Sequence, residues 1–125
     1  MTVITDKIQN KTGGPVELGK QVAAKMWANY DGVNATVRDS FNLSSSVDLG
    51  SGHTEFNMTS GMSDANYCTN NTCKYLVNAA FGNNTKAEVY GKTAGVVNSI
   101  TMSSSSGNNI DCQYVYADVL GELAQ

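Results

Sequence analysis

The feature that most constrains this chain is an alternation of apolar and polar residues with a period of two. In the first run, Ala24, Met26 and Ala28 alternate with Lys25, Trp27 and Asn29. Such alternation is typical of a strand with one buried face, because successive side chains point to opposite sides. Breaks that contain Gly, Asn and Ser interrupt the pattern roughly every 8 to 14 residues. The sequence therefore predicts an all-β fold, a jelly-roll-like antiparallel β-sandwich of about eight short strands.

Two details of the second run can be checked directly. Asp31 and Gly32 separate it from the first run, and this dipeptide is a strong signal for a two-residue type I′ hairpin turn. Asp39 interrupts the alternation and predicts a bend or bulge. The predicted inward-facing residues of this run are Val33, Ala35, Val37, Phe41 and Leu43.

Composition narrows the classes of partner. Only 15% of the 125 residues are charged, against about 25% in an average soluble protein, so the polar surface consists of Ser, Thr, Asn and Gly. This profile is typical of extracellular and virion-type β proteins. The net charge is −3 and the Lys and Arg residues are scattered, so we expect no nucleic-acid partner. No apolar run approaches the roughly 20 residues of a membrane span, so we expect no membrane insertion.

Residues 1–22 differ from the rest of the chain. Their alternation is loose, and Gly13, Gly14 and Pro15 break it. A segment this short and polar cannot form a core alone, so we predict an extended arm, with a separate β-sandwich module over residues 23–125. The arm is expected to anchor the protein or to drive its oligomerisation, through Ile4, Ile8, Val16 and Leu18.

Catalysis is not indicated. His53 is the only histidine, and a general base or metal site needs partners that no spacing around it provides. A glycosidase pair could be present among the 11 acidic residues, because such pairs are set by the fold rather than by spacing. We expect a protein that is not an enzyme and binds no metal or cofactor, and a small hydrolytic domain is kept as an alternative.

The cysteines allow several interpretations. Cys68 and Cys73 flank the tetrapeptide TNNT, which predicts a hairpin loop that brings the two thiols opposite each other. They could then form a disulfide or remain reduced, and a zinc site is disfavoured because four suitably spaced ligands are missing. Cys112 lies in the last run and is predicted to be a small buried hydrophobic residue.

The chain also resembles a known family in several motifs. Residues 23–67 contain NYDG, VRDSFNLSS, FNMTSGM and DANY in that order. This run resembles a module of marine, cyanophage-type bacteriophages, where it forms the C-terminal domain of tail-fibre-like and other virion structural proteins. Residues 5–21 resemble the extended lead-in of that family, and residues 68–125 match it mainly in layout.

The resemblance implies a structural virion protein, assembled in the bacterial cytoplasm and released by lysis. Because no long shaft is present, it implies a short tail fibre or appendage, attached by the arm to other virion proteins, that adsorbs to host polysaccharide or protein. A capsid decoration or head-fibre protein and a small carbohydrate-binding domain are the alternatives. We expect a homotrimer, which would cover the edge strands of the sandwich.

The aromatic residues on the strands predict either a sugar-stacking or docking surface or internal packing. Those near loops, together with the asparagines of the TNNT loop, are the candidates for host contact. These are Tyr30, Tyr90, Asn70 and Asn71.

Overall fold

The computed structural model describes residues 23–75 and 85–124, and these residues contain eight β-strands and no helix. The predicted arm over residues 1–22, with its anchoring residues Ile4, Ile8, Val16 and Leu18, lies outside the described residues. In chain order the strands are β1 (Met26–Asp31), β2 (Thr36–Phe41), β3 (Leu43–Gly50), β4 (His53–Met58), β5 (Cys68–Lys74), β6 (Thr85–Thr93), β7 (Val96–Ser103) and β8 (Tyr114–Leu120).

The strands form two four-stranded antiparallel sheets that pack against each other. Sheet I has the order β2-β1-β8-β5, and sheet II has the order β3-β4-β7-β6. The expected antiparallel β-sandwich is therefore confirmed. In sheet I the first described strand lies beside the last, because β1 pairs with β8 from Met26–Val119 to Tyr30–Val115.

The core lies between the inner faces of the sheets. On β1 and β4 every second residue is buried, as the period-two pattern predicts, and Phe56 and Met58 lie inward as expected. The rings of Tyr30 and Phe56 meet edge to face across the core, with centroids 5.5 Å apart and planes at 87°. Burial of one such side chain stabilises the fold by about 1.5 to 3 kcal/mol.

Tyr30 was predicted to be a candidate for host contact, and the structure shows that this prediction is wrong. Its side chain is only 1% exposed. Burial raises the pKa of Tyr30, although a hydrogen bond with the Thr54 side chain opposes that effect. Proximity to a loop was a poor guide because Tyr30 shares the inward parity of Met26 and Ala28.

The turn after β1 is longer than predicted. β1 ends at Asp31 and β2 begins at Thr36, so four residues connect the strands. A positive φ occurs at Ala35, at 51°, and neither Asp31 nor Gly32 has one. The prediction of a two-residue type I′ turn is therefore wrong. The Asp31 side chain organises a longer loop in its place.

Strand β2 also differs from the prediction. Four of the residues that were expected to face the core are exposed, namely Val33, Ala35, Val37 and Phe41. Leu43, at the start of β3, packs against the core as expected. β2 is the edge strand of sheet I, and only Ser40 along it is partly covered. The bulge is displaced by one residue from Asp39: Asn29 pairs with Asp39 and Tyr30 with Val37, which leaves Arg38 as the extra residue.

Asp31 holds the β1–β2 connection together. Its Oδ1 accepts hydrogen bonds from the backbone N–H groups of Val33 and Asn34 at 3.0 and 3.1 Å. Its Oδ2 accepts from Asn34 Nδ2 at 3.0 Å and from Arg38 Nη2 at 2.7 Å. Burial alone would raise the pKa of Asp31, but these hydrogen bonds and the Arg38 charge outweigh it, so the pKa lies below its ordinary value.

Replacement of Asp31 by asparagine is expected to lower the free energy of unfolding at pH 7 by about 2 kcal/mol, because hydrogen bonds to charged groups each contribute about 1.5 to 3 kcal/mol. A carboxylate whose folded pKa is lowered stabilises the protein above its unfolded pKa, and this stabilisation is lost as the pH falls through the folded pKa. The difference between the two proteins should therefore shrink below about pH 4. Urea denaturation at several pH values measures it. The exposed Asp39, changed to asparagine, is the control, and an equal loss in both variants would contradict the role of Asp31.

Candidate functional site

The outward face of sheet I carries a continuous aromatic and polar surface. Across β1 and β8, Asn29 pairs with Tyr116 and Trp27 pairs with Asp118. Across β8 and β5, Asn70 pairs with Asp118 and Thr72 pairs with Tyr116. Residues that pair in this way share a face of the sheet. The six side chains therefore lie side by side on three adjacent strands.

These side chains line a groove of about 360 Å³, with Ala28 and Ala117 at its base. We call it the outer groove. Its volume falls within the range of about 300 to 1,000 Å³ that is typical of small-ligand sites. Trp27 is 37% exposed and Tyr116 is 44% exposed, so both rings offer surface to a ligand. The residues that line the groove are Trp27, Ala28, Asn29, Asn70, Thr72, Tyr116, Ala117 and Asp118.

The polar groups of the outer groove are only partly satisfied. Asn70 Nδ2 donates a hydrogen bond to Asp118 Oδ1 at 3.0 Å, which orients both side chains. Asn29 Oδ1 is shielded from solvent and has no hydrogen-bond donor among the described residues. A buried acceptor without a donor costs free energy.

The aromatic surface continues beyond the groove. Tyr116 stacks on Tyr114, with ring centroids 6.3 Å apart and planes at 24°. The guanidinium carbon of Arg38 lies 4.4 Å from the centroid of the Tyr114 ring, which is the geometry of a cation–π contact. On the opposite side Phe41 pairs with Trp27. These contacts limit the motion of the rings, so the surface is largely preformed.

The four residues that the sequence predicted for host contact lie in different parts of the structure. Asn70 is exposed and lines the outer groove, and its contact with a host stays a prediction. Asn71 is wrong as a contact residue, because it lies on the inward face of β5 and donates through Nδ2 to Ser99 Oγ at 3.0 Å. Tyr90 is 72% exposed but lies on sheet II, where its ring meets His53 edge to face at 5.3 Å. Tyr30 is in the core.

The residues that complete the groove were not singled out by sequence alone. Trp27 and Tyr116 belong to the strand aromatics that were expected either to pack or to bind a ligand, whereas Asn29, Thr72 and Asp118 were not predicted to be contact residues. The sequence contained one signal for the outward face of β1. Trp27 and Asn29 alternate with the buried Met26 and Ala28, so they point away from the core. Their proximity to β5 and β8 depends on the strand order, which the sequence does not reveal.

The predicted cysteine hairpin is wrong. Residues 68–74 form the single continuous strand β5, which pairs with β8 along its whole length. Cys68 and Cys73 are five residues apart on that strand, so they point to opposite faces and are separated by roughly 16 Å along it. A disulfide between them does not fit this geometry. Cys68 is exposed, and Cys112 is buried as expected.

The positions of His53 and of the other possible metal ligands bear on the catalytic and metal-site alternatives. His53 lies on β4 of sheet II, whereas the residues that line the outer groove belong to strands of sheet I. Within residues 23–75 and 85–124, no three His, Cys, Asp or Glu side chains are grouped so that they could hold a metal ion. In the same ranges no helix has the length and apolar character needed to cross a bilayer.

Fold and site together define a class: an antiparallel β-sandwich with a preformed aromatic and polar groove on one outer face. Comparison with known proteins adds no relative to this description. No family model, no curated protein and no solved structure matches the chain.

Proposed function

We propose that the protein is a structural component of a bacteriophage particle, a short tail fibre or appendage, and that its outer groove contacts a saccharide on the host surface. The motifs in residues 23–67 support the virion setting through their resemblance to cyanophage-type modules. The observation that carries the contact is the groove, in which Trp27 and Tyr116 lie beside four polar side chains.

The chemistry of the groove matches a sugar ring. A pyranose has an apolar face of C–H groups, which packs against the electron-rich face of an aromatic ring, and a rim of hydroxyl groups that donate and accept hydrogen bonds. Trp27 and Tyr116 offer such rings. Asn29, Asn70 and Asp118 offer amide and carboxylate groups for the hydroxyls. Within the part of the chain that the structure describes, Asp118 is the one charged residue that lines the groove, so a neutral saccharide fits better than an acidic one.

The same composition favours binding over cleavage. Glycoside hydrolysis ordinarily uses two carboxyl groups on either side of the scissile bond, about 5 to 9.5 Å apart. Among the described residues the lining of the groove contains one carboxylate, Asp118. We therefore propose a recognition module without hydrolytic activity. A shallow groove of this kind binds a single sugar weakly, and several copies on one particle would raise the overall avidity.

A second candidate function, capsid decoration, is favoured by a different observation. The edge strands β2 and β3 lie at corresponding ends of the two sheets, and both expose apolar side chains. Exposed apolar residues on edge strands are typical of surfaces that pair with another protein chain. Such an edge would serve either a capsid contact or the expected trimer, which stays a prediction. The exposed residues are Val37, Phe41, Val47 and Leu49.

The test uses the full chain on an array of purified bacterial surface polysaccharides and defined neutral and acidic oligosaccharides. We expect retention on a subset of neutral saccharides, with no release of reducing ends from the retained polymer. Immunogold labelling of phage particles that encode the chain should place it on the tail. Labelling of the capsid shell together with an absence of saccharide binding would replace this proposal by capsid decoration. Release of reducing ends would indicate a hydrolase.

A further inference from the structure

Two of the three cysteines, Cys73 and Cys112, lie together at the core. This pair differs from the pair that flanks the TNNT stretch, which is Cys68 and Cys73. Cys73 lies on the inward face of β5 opposite Val115, and it packs against the hydrophobic core. Cys112 belongs to that core and is 0% exposed. The thiol of Cys112 and the sulfur of Cys73 are within hydrogen-bonding reach of each other.

Backbone contacts hold the two segments in place. The N–H of Gln113 donates to the carbonyl of Tyr75 at 2.7 Å, which extends the β5–β8 ladder past the strand ends. The N–H of Gly32 donates to the carbonyl of Cys112 at 2.9 Å. The segments that carry the two thiols are therefore held in place by backbone hydrogen bonds.

We propose that Cys73 and Cys112 are an oxidisable thiol pair, which forms a disulfide between β5 and the segment before β8 when the protein meets a small-molecule disulfide such as oxidised glutathione. This inference is independent of the saccharide proposal. It assigns a modification site to the core of the sandwich and leaves Cys68 outside it.

The reaction proceeds by two thiol–disulfide exchanges. The Cys73 thiolate attacks one sulfur of oxidised glutathione, which forms a Cys73–glutathione mixed disulfide and releases one glutathione thiolate. The Cys112 thiol then loses its proton, attacks the Cys73 sulfur and releases the second glutathione thiolate. Two protein thiols are oxidised to one disulfide, and one oxidised glutathione is reduced to two molecules of glutathione, which take up the two protons.

The environments of the two thiols favour this order. Cys73 is half-buried and can be reached from solvent, whereas Cys112 is fully buried. The hydrogen bond from Cys112 lowers the pKa of Cys73 to about 7, although burial opposes it. The same contact, together with burial, raises the pKa of Cys112. Cys73 is thus the thiol that attacks first, because the thiolate is the nucleophile.

The test compares the native full chain with Cys68→Ser, Cys73→Ser and Cys112→Ser variants after incubation with oxidised glutathione. Each sample is then alkylated under denaturing conditions, digested with trypsin and analysed by mass spectrometry. In the Cys68→Ser variant we expect both remaining thiols to be lost, with the peptide that ends at Lys74 joined to the peptide that begins at Thr93. The native chain should form the same link and carry glutathione on Cys68.

The Cys73→Ser and Cys112→Ser variants should form no link between these two peptides. The native chain and the Cys68→Ser variant keep the proposal testable even if a core variant does not fold. A glutathione adduct on Cys73 with Cys112 still free for alkylation would overturn the proposal, as would a link from Cys68 to Cys112 in the native chain.

Discussion

Replacement of Trp27 by alanine is expected to weaken saccharide binding by at least about tenfold, which corresponds to about 1.4 kcal/mol. Trp27 lines the outer groove and has an exposed ring that a sugar can stack on. Large aromatic residues near the centre of a contact surface often account for most of its binding energy. Isothermal titration calorimetry with a saccharide identified on the array measures the change. Circular dichroism confirms that the variant keeps the fold.

Two exposed aromatics serve as matched controls for Trp27. Tyr90 lies on sheet II beside His53, and its replacement by alanine should leave the affinity within about twofold, since it is remote from the groove. Phe41 pairs with Trp27 but does not line the groove, so its replacement should have a small effect. If the Tyr90 variant lost binding and the Trp27 variant kept it, the contact surface would be on sheet II and the groove would be excluded.

Replacement of Gly52 by alanine is expected to lower the free energy of unfolding by about 3 kcal/mol or more. The φ angle of Gly52 is +68°, and a Cβ atom there would lie 2.3 Å from the carbonyl oxygen of Thr101 and 2.8 Å from Ile110 backbone atoms. The backbone of Gly52 also accepts a hydrogen bond from the Thr101 N–H at 2.7 Å. Because backbone atoms surround the site, the clash cannot be relieved by rotation of a side chain. Urea denaturation measures the loss.

Two other glycines separate the causes of that loss. Gly107 has a φ angle of +72° but an open environment, so its replacement by alanine should cost only the backbone strain of about 1 to 2 kcal/mol. Gly95 is also open and does not have a positive φ, so its replacement should change stability by no more than about 0.5 kcal/mol. Equal losses at Gly52 and Gly107 would show that close backbone packing at Gly52 is unimportant.

The period-two pattern predicted the sandwich and the buried faces of its inner strands, because alternation reflects burial directly wherever a second sheet covers one face. Met26, Ala28, Phe56 and Met58 all lie inward as expected. The pattern failed on β2, where Val37 and Phe41 fit the apolar positions of the alternation but are exposed. An edge strand can carry the same alternation without being covered, and only the strand order decides between the two cases.

Local composition was misleading at β5. Asn and Thr favour loops in isolation, so the stretch from Thr69 to Thr72 indicated a hairpin tip. In the fold this stretch pairs with β8, and the ladder of hydrogen bonds overrides the weak local preference. The same strand order brings Asn70 and Thr72 beside Tyr116 and Asp118. The outer groove depends on the position of β5 beside β8. Because the sequence did not predict that position, it did not predict the groove either.

The pairing of the first described strand with the last has a consequence for biosynthesis. The groove takes Trp27 and Asn29 from β1, but its other side depends on Tyr116 and Asp118 from β8, so a ribosome must synthesise β8 before the site can exist. Contacts between such distant segments form late, since closure of a long loop precedes them. A nascent or truncated polypeptide that lacks β8 therefore cannot form the groove, and any ligand that needs the groove would bind only after β1 and β8 have paired.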